Sequence, residues 1–256
     1  MKRILSLLVL PLLLTGCSVL GGINWNEGQL AAAAGNALTA ASLSNEDIVR
    51  LSAQTVAQLD AQNVIDNGAY AQRLAKVMSG INTVDGLPLN FKVYKTKEVN
   101  AFACGDGSIR VYSGLMDVMD DGELMAIIGH EIGHVVHKDT KNAMKNAYLA
   151  AAARGVISAA GSVGAIASNT LGDIGEAFVS SQFSQKQEYA ADDYGFTFST
   201  QHGQDAYSMS NALNKLVDLA GGSQASAVQK MFSSHPDSAE RAAKMKEKAD
   251  KYTGKK

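Results

Sequence analysis

Residues Asp120 to Lys138 read DDGELMAIIGHEIGHVVHK, which combines a signal for a helix start with a regular apolar spacing. Asp120 followed three residues later by Glu123 is typical of a capping box, in which two side chains hydrogen-bond the free backbone N–H groups at a helix start. Apolar residues then continue as far as Val136, with spacings that a helix can bury on one side. The stretch therefore predicts a helix that begins after Asp120 and ends near Lys138.

Two histidines lie on this predicted helix, in the sequence His130-Glu131-Ile132-Gly133-His134. Residues four apart share one helix face and lie about 6 Å apart along the axis, so both imidazoles can approach one metal ion, and zinc suits such a pair. Glu131 is rotated by roughly 100° from His130, which leaves its carboxylate off the metal but within reach of a bound water. The pattern predicts a zinc centre with Glu131 as general base, acting on a water whose pKa the metal lowers to about 7.

A catalytic zinc usually has three protein ligands and one open position, so the histidine pair needs a third ligand. Glu188 is the candidate, because it lies on another predicted helix with Asp192 four residues later on the same face. A carboxylate at that place can accept a hydrogen bond from a ligand histidine and so fix the imidazole tautomer. Two acids at this spacing are commonly just a solvated helix face, and the histidine pair is what favours the metal-binding interpretation.

Outside this region the chain is mostly helical by its apolar spacing. Residues 45–80 predict two helices interrupted near Asn67-Gly68, and residues 87–112 alternate in a way that predicts a small antiparallel sheet with one hairpin. Further helices are predicted over residues 178–199, over residues 205–220 and after Pro236. The small residues of 149–175 predict loosely packed helix and loop, either a mobile flap or close packing. This order indicates an α-rich α+β fold, with the small sheet beside the helix that carries the motif.

The N-terminal residues predict export and lipidation. Two basic residues precede a short apolar run that ends in Leu14-Thr15-Gly16-Cys17, which resembles the lipobox of bacterial lipoproteins. We therefore expect residues 1–16 to be a signal peptide and Cys17 to be the lipidated mature N-terminus. Ser18 stands where lipoproteins kept in the inner membrane typically carry Asp, which predicts an outer-membrane position facing the periplasm. A plain signal peptide with an unmodified Cys17 is the alternative.

Composition sets further limits. Residues 17–44 are rich in Gly, Ala, Asn and Ser, which predicts a flexible tether, and residues 45–256 suffice for one folded domain. The net charge of −2, from 23 basic and 25 acidic residues, gives no reason to expect a nucleic acid as partner. If Cys17 is lipidated, Cys104 is the remaining thiol and no intrachain disulfide can form, so Cys104 is either buried or available to another chain.

More residues resemble the zinc metallopeptidase family that includes the CAAX prenyl protease of the Ste type, HtpX, Oma and BepA. Beside the histidine motif, the residues that carry this resemblance are Asn100-Ala101-Phe102-Ala103, Ile109 to Met116, Glu188, Ala191-Asp192, His235-Pro236 and Arg241. The resemblance covers most of the chain and implies a single gluzincin-type metallopeptidase domain. One departure is Asp139, which stands five residues after His134, where many relatives carry a histidine.

The resemblance also implies roles for particular residues. It implies that Glu188 is the third ligand and that Asp192 supports a ligand histidine, with Arg241 beside it. It places His235 near the metal, where this side chain either helps to stabilise the oxyanion or caps the open site at rest; a histidine before proline at a helix start is otherwise often structural. Extended peptide would pair with an edge strand over Asn100, Ala101, Phe102 and Ala103, so main-chain hydrogen bonds would favour unfolded chains.

Together these features predict a metalloendopeptidase with one Zn²⁺ per chain that hydrolyses unfolded or misfolded envelope proteins. The expected partners are polypeptide substrates and the membrane, through the anchor at Cys17, with outer-membrane protein assembly factors or other proteases as further candidates. The rival hypothesis is a lipoprotein chaperone or assembly factor whose metal site is structural or latent. Glu131 argues against that hypothesis, because a structural zinc needs no general base.

Overall fold

The computed structural model describes residues 43–153, 166–236 and 238–254. The signal peptide, Cys17 and nearly all of the tether expected from the sequence lie outside the described residues. The helices are α1 Asn45–Gln62, α2 Ala69–Val77, α3 Ser113–Val118, α4 Asp121–Val136, α5 Asp139–Ala153, α6 Ser168–Val179, α7 Gln185–Gln201, α8 Ser208–Ala220, α9 Ala225–Ser234 and α10 Ser238–Thr253. Within the described ranges, no helix is both long and apolar enough to cross a membrane.

The strands form one four-stranded sheet and one separate hairpin. They are β1 Ile65–Asp66, β2 Thr83–Val84, β3 Leu87–Pro88, β4 Asn90–Tyr94, β5 Ala101–Ala103 and β6 Ser108–Tyr112. The large sheet has the order β1-β4-β6-β5, and β2 pairs with β3 alone. Strand β5 therefore lies at one edge of the large sheet, directly beside β6.

The expectation of an antiparallel sheet was wrong for its central pair. Strands β4 and β6 run parallel, with Asn90 opposite Ser108 and Tyr94 opposite Tyr112. The chain reverses direction after β4 and again at the turn between β5 and β6. Strand β6 lies between β4 and β5 in the sheet. After two reversals β6 has the direction of β4. The hairpin of β5 with β6 is antiparallel, as the alternating pattern predicted.

Side chains that alternate along β4 and β6 place the sheet between two apolar clusters. Val93 and Val111 belong to a cluster that includes the apolar residues of α4, α8 and α10. Tyr94 and Tyr112 belong to a second cluster with residues of α1, α5 and α6. Cys104 lies fully buried in this second cluster, and burial holds the pKa of its thiol well above the usual range. The thiol is therefore buried rather than available to another chain.

The helix expected over residues 178–199 is two helices. Helix α6 ends at Val179 and α7 begins at Gln185, where Ser184 caps the new helix and Gln187 completes a capping box. The small-residue segment 149–175 supplies the end of α5 and the start of α6 where it is described, and its residues 154–165 lie outside the described ranges.

Helices α4 and α7 pack against each other at unusually short range because glycines face the contact. A Cβ atom on Gly129 would lie 3.1 Å from the Cα atom of Gly195, and one on Gly195 would lie 2.8 Å from the backbone nitrogen of His130. A Cβ atom on Gly133 would lie 3.1 Å from the Cα atom of Ala191. This packing brings the histidine motif of α4 against the acidic residues of α7.

Candidate metal centre

Four side chains from three parts of the chain meet in the interior. His130 and His134 come from α4, Glu188 from the first turn of α7, and His235 from the residue that follows α9. Their ligand-type nitrogen and oxygen atoms all lie within 4.8 Å of one another, and all four residues are buried. The sequence argument had named these four residues, and the fold brings all four together.

His130 is held by a chain of charged contacts. Its Nδ1 atom lies 2.8 Å from Oδ1 of Asp192, and because a carboxylate can only accept, Nδ1 is the donor. Arg241 donates to both oxygens of Asp192, from Nε at 2.7 Å and from Nη2 at 2.6 Å. Burial lowers the pKa of His130 although Asp192 opposes this shift. The contacts leave Nε2 of His130 turned to the other centre residues, with the ring in a neutral form suited to a metal.

His134 has a carboxylate of its own, which the sequence argument missed. Nδ1 of His134 donates to Oδ2 of Asp139 at 3.0 Å, and Nε2 of Gln187 donates to the other Asp139 oxygen at 2.7 Å. The chain reaches this geometry through Lys138, whose φ of 65° turns α4 directly into α5. The signal in the sequence is an acid three residues after the end of the motif helix, at the position where many relatives carry a histidine.

Glu188 is fully buried and compensated on several sides. Its Oε1 atom lies 3.0 Å from Nδ1 of His235 and 3.4 Å from Nε2 of His134, and its Oε2 atom contacts Nη1 of Arg241. Burial alone would raise the pKa of this carboxyl, but the charge of His235 and the hydrogen bonds from both histidines outweigh burial and lower its pKa. Glu188 is therefore a carboxylate at neutral pH, which is the form that binds metals.

The carboxylate of Glu131 lies beside the centre and is not saturated with hydrogen bonds. It is only 2% exposed, and its Oε1 atom is buried without a hydrogen-bond partner among the described residues. Nε2 of His235 lies 3.6 Å from Oε1. A buried carboxylate oxygen without a partner is costly, so this atom has the capacity to accept a proton or a hydrogen bond from a bound molecule.

Phe183 covers one side of the centre, and sequence reasoning missed this residue as well. Its ring stacks on His134 with 4.0 Å between ring centroids and 15° between ring planes. Its backbone N–H donates to the carbonyl of Ser234 at 3.1 Å, which ties the break between α6 and α7 to the residue before His235. The half-buried Phe183 ring therefore covers one face of the His134 imidazole.

The strand expected to bind substrate lies where the sequence argument placed it, at the sheet edge and beside α4. Ala101, Phe102 and Ala103 form β5, and Asn100 immediately precedes it. All four side chains are buried, and the amide nitrogen of Asn100 has no hydrogen-bond partner among the described residues. The edge of β5 thus lies beside the motif helix α4, while the side chains of β5 pack in the protein core.

The donor set fits a divalent metal ion. Two imidazoles and one carboxylate are typical ligands of zinc in enzymes, and the hydrogen bonds from Nδ1 of each motif histidine leave both Nε2 atoms available. His235 supplies a fourth nitrogen within the same group. The Nε2 atoms of His130 and His134 lie 3.1 Å apart, close enough for one cation to contact both.

Comparison with known proteins gives the family. The family model of Peptidase family M48 matches residues 67–249, and that of the prokaryotic membrane lipoprotein lipid attachment site matches residues 1–18. The chain is 40% identical to metalloprotease LoiP of Escherichia coli over 94% of both chains, and 38% identical to metalloprotease YcaL of Escherichia coli over 94% of both. It is 28% identical to the beta-barrel assembly-enhancing protease of Escherichia coli over 57% of this chain and 31% of that one. The chain therefore belongs to peptidase family M48 and is a metalloprotease with a lipoprotein attachment site.

Proposed function

We propose that this protein is a zinc-dependent endopeptidase that hydrolyses unfolded or misfolded polypeptides of the bacterial envelope. The observation that carries the proposal is the Glu131 carboxylate, which lies buried beside His130, His134 and Glu188 with Oε1 free of hydrogen bonds. A structural metal needs ligands alone, whereas hydrolysis also needs a base beside the metal. Glu131 is that base in this proposal.

In this proposal His130, His134 and Glu188 hold the zinc. When bound there, zinc supplies a Lewis acid for the scissile carbonyl and for the attacking water. Asp192 and Asp139 keep the two imidazoles in the orientation that turns Nε2 to the metal. Arg241 fixes Asp192 through two hydrogen bonds, so the guanidinium acts on the centre through another residue.

Glu131 moves the proton. Its Oε1 atom takes a proton from water as the water oxygen forms a bond to the carbonyl carbon, and it then gives the proton to the amine nitrogen as the C–N bond breaks. His235, with Nε2 at 3.6 Å from this oxygen, is placed to donate a hydrogen bond to negative charge that develops on the substrate carbonyl. At rest, in this proposal, the same side chain caps the centre through the contact of its Nδ1 atom with Glu188.

The substrate would bind as an extended strand along β5. The outer edge of this strand has no partner within the described part of the sheet, so a peptide can add there through main-chain hydrogen bonds. Because Ala101, Phe102 and Ala103 are buried, they contribute backbone groups rather than side-chain contacts. Binding through the backbone favours chains that are locally unfolded, since a folded substrate has no free extended segment to offer.

The cellular location that we propose for this activity rests on the lipid attachment site over residues 1–18. We propose that Cys17 carries the lipid and that Ser18 directs the protein to the periplasmic face of the outer membrane. Residues 17–44 would then form a tether before a domain that begins near Asn45. Cys17→Ser should leave the protein in the membrane-free fraction of lysed cells, and Ser18→Asp should move it to inner-membrane fractions. Retention of Cys17→Ser in the outer membrane would contradict the anchor.

The main alternative is a chaperone or assembly factor for outer-membrane proteins with a latent metal site. One relative is named the beta-barrel assembly-enhancing protease, so assembly factors for outer-membrane proteins stay candidate partners in this proposal. The two hypotheses differ in the need for Glu131. A chaperone would still bind unfolded chains without Glu131, whereas an endopeptidase without Glu131 would not cleave them.

The test compares full-length wild type with Glu131→Gln, both purified in detergent and loaded with zinc. We expect one zinc per chain in both proteins, cleavage of an unfolded casein-type substrate by wild type, and a loss of at least about 100-fold in rate for the variant. Gln keeps the size of the side chain but cannot take up the proton. Equal cleavage by both proteins would rule out this mechanism, and zinc without cleavage in wild type would favour the chaperone.

A further inference from the structure

A cavity of about 480 Å³ lies beside the candidate centre and plays no part in the chemistry described above. It opens between the end of α1, the loop before β5, one face of α6 and the outer side of α9. The polar side chains that line it include Glu98, Tyr112, Asp173, Glu176 and Lys230. Three carboxylates and one ammonium group therefore surround one phenol.

The phenol of Tyr112 is the buried polar group of this cavity. Tyr112 is 7% exposed, and its ring packs against Tyr94 and Phe102 at centroid distances of 5.6 and 6.3 Å. Its hydroxyl forms no hydrogen bond with any described residue, although the residue lines the cavity. Burial and the nearby charge of Glu98 raise the pKa of this phenol, so it stays a neutral donor and acceptor.

The cavity is lined by more carboxylates than positively charged side chains. Asp173 and Glu176 lie three residues apart on α6, both exposed, and neither forms an ion pair among the described residues. Glu98 pairs with Lys230, whose Nζ atom lies 3.0 Å from Oε2, yet this Oε2 atom receives no well-aligned hydrogen bond. The wall thus has three negative charges and one positive charge, which favours a cation in the cavity.

The cavity adjoins the path proposed for the substrate. Ser180 lines it, and only three residues later Phe183 stacks on His134, a separation of at most about 11 Å along the chain. On the opposite wall, the backbone N–H of Tyr112 donates to the carbonyl of Asn100, the residue before β5, at 3.0 Å. A peptide along β5 advances about 3.4 Å per residue, so a side chain within a few residues of the bond at the centre can reach the cavity.

We propose that this cavity is a specificity subsite that receives a lysine or arginine side chain of the substrate, a few residues from the cleaved bond. The proposal rests on the proposed endopeptidase function. The apolar stem of such a side chain passes Leu59 and Val179 on the cavity wall, and its charged end meets the Tyr112 hydroxyl and the carboxylates of Asp173 and Glu176. An acidic side chain at the same position is repelled by these carboxylates.

The test uses full-length protein in detergent and a set of fluorescent peptides that carry one Lys, norleucine or Glu at each position around the cleavage site. At one position we expect wild type to prefer Lys over norleucine by about tenfold in kcat/KM, with a smaller preference at high salt. The double variant Asp173→Asn, Glu176→Gln should reduce this ratio below about threefold while cleaving the norleucine peptide at the wild-type rate. Tyr112→Phe should lower the ratio with its fold unchanged.

A matched control is the double variant Asp218→Asn, Glu247→Gln, which removes two exposed carboxylates outside the cavity lining. It should keep the full preference for Lys. Equal kcat/KM for Lys and norleucine at every position would overturn the subsite while leaving the endopeptidase function intact. If wild type cleaves no peptide, the endopeptidase function fails, and binding of the same peptides to Glu131→Gln decides the subsite: a tenfold lower Kd for Lys supports it, and equal Kd values overturn it.

Discussion

At the scale of single residues, the centre gives each motif histidine a separate carboxylate. Asp192 accepts from Nδ1 of His130 at 2.8 Å, and Asp139 accepts from Nδ1 of His134 at 3.0 Å. The two carboxylates come from opposite sides, one from α7 and one from the start of α5. Because Nδ1 of each ring donates to a carboxylate, Nε2 is the nitrogen of each ring that can bind a metal once it carries no proton.

We predict that Asp139→Asn weakens zinc binding by about 10- to 100-fold, because Asn keeps a hydrogen-bond acceptor but removes the charge that makes the imidazole more basic. The measurement is competition for zinc with a chelator of known affinity. Asp193→Asn is the matched control, since Asp193 is an exposed acid on α7 whose partner is Lys248. Unchanged zinc affinity in Asp139→Asn would mean that the contact with His134 is incidental.

The residues of the centre differ in how far a sequence can predict them. His130, His134, Glu188 and Asp192 follow from helical spacing and ligand chemistry, because spacing of four defines a helix face. His235 and Arg241 came from resemblance, since no local rule relates α10 to α4. Asp139 and Phe183 were missed because their roles depend on the turn at Lys138 and on the break before Ser184, and these are tertiary features.

At the scale of elements, the contact between α4 and α7 sets the distance between the histidines and Glu188. Glycine is a poor helix residue, yet Gly195 lies within α7 where an alanine Cβ would come 2.6 Å from the carbonyl oxygen of Ala126 and 2.8 Å from the nitrogen of His130. Both neighbours are backbone atoms and cannot rotate away. Close helix packing therefore outweighs helix propensity at this position.

We predict that Gly195→Ala destabilises the protein by about 1–3 kcal/mol and weakens zinc binding, because the helices must separate to admit the methyl group. Gly172→Ala on α6 is the matched control: its Cβ would meet only the flexible side-chain amide of Gln62, at 3.1 Å, so helix propensity should stabilise the protein by about 1 kcal/mol. Urea unfolding and zinc competition measure both effects. Stabilisation by both substitutions would show that a methyl group fits between α4 and α7 without separating the two helices.

Helices and strands were predicted well where one spacing of apolar residues continues over many residues, and poorly where that spacing changes. Helix α4 begins after Asp120 as its capping box indicated. The parallel pairing of β4 with β6 was not predictable, since alternation along a strand reports which face is buried and not the direction of its neighbour. Helices α3 and α9 went unnoticed because six and ten residues are short for a periodic signal.

At the scale of the whole molecule, one buried charge network joins α1 to the sheet. Asp60 accepts from Arg110 at 2.7 and 3.0 Å, from Lys92 at 2.6 Å and from the Tyr94 hydroxyl at 2.8 Å. Arg110 is only 2% exposed. Burial alone would raise the pKa of Asp60, but the hydrogen bonds from Arg110, Lys92 and Tyr94 outweigh burial and lower its pKa below 3.8.

Because the folded-state pKa of Asp60 is lower than the unfolded one, its stabilising effect is complete above about pH 5 and declines as pH falls through the folded-state value. We predict that Asp60→Asn lowers the free energy of unfolding by about 3 kcal/mol at pH 7, since Arg110 stays buried without its counter-charge. The difference from wild type should shrink below pH 4 in urea unfolding. Glu247→Gln, which removes an exposed pair with Lys251, should leave the free energy of unfolding almost unchanged. A pH-independent difference for Asp60→Asn would contradict this account.

The metal also acts on the whole molecule, because its proposed ligands come from two helices, His130 and His134 from α4 and Glu188 from α7. A ligand that binds only the folded state stabilises it by about 2.7 kcal/mol at 100 times its Kd, which for a domain of this size corresponds to a rise of about 5–10 °C in Tm. We predict that a chelator lowers the Tm of wild type by this amount and that added zinc restores it. Glu131→Gln should show the same shift, because it keeps all ligands, whereas His130→Ala should show almost none. A shift in His130→Ala as large as that of wild type would place the stabilising metal elsewhere in the protein.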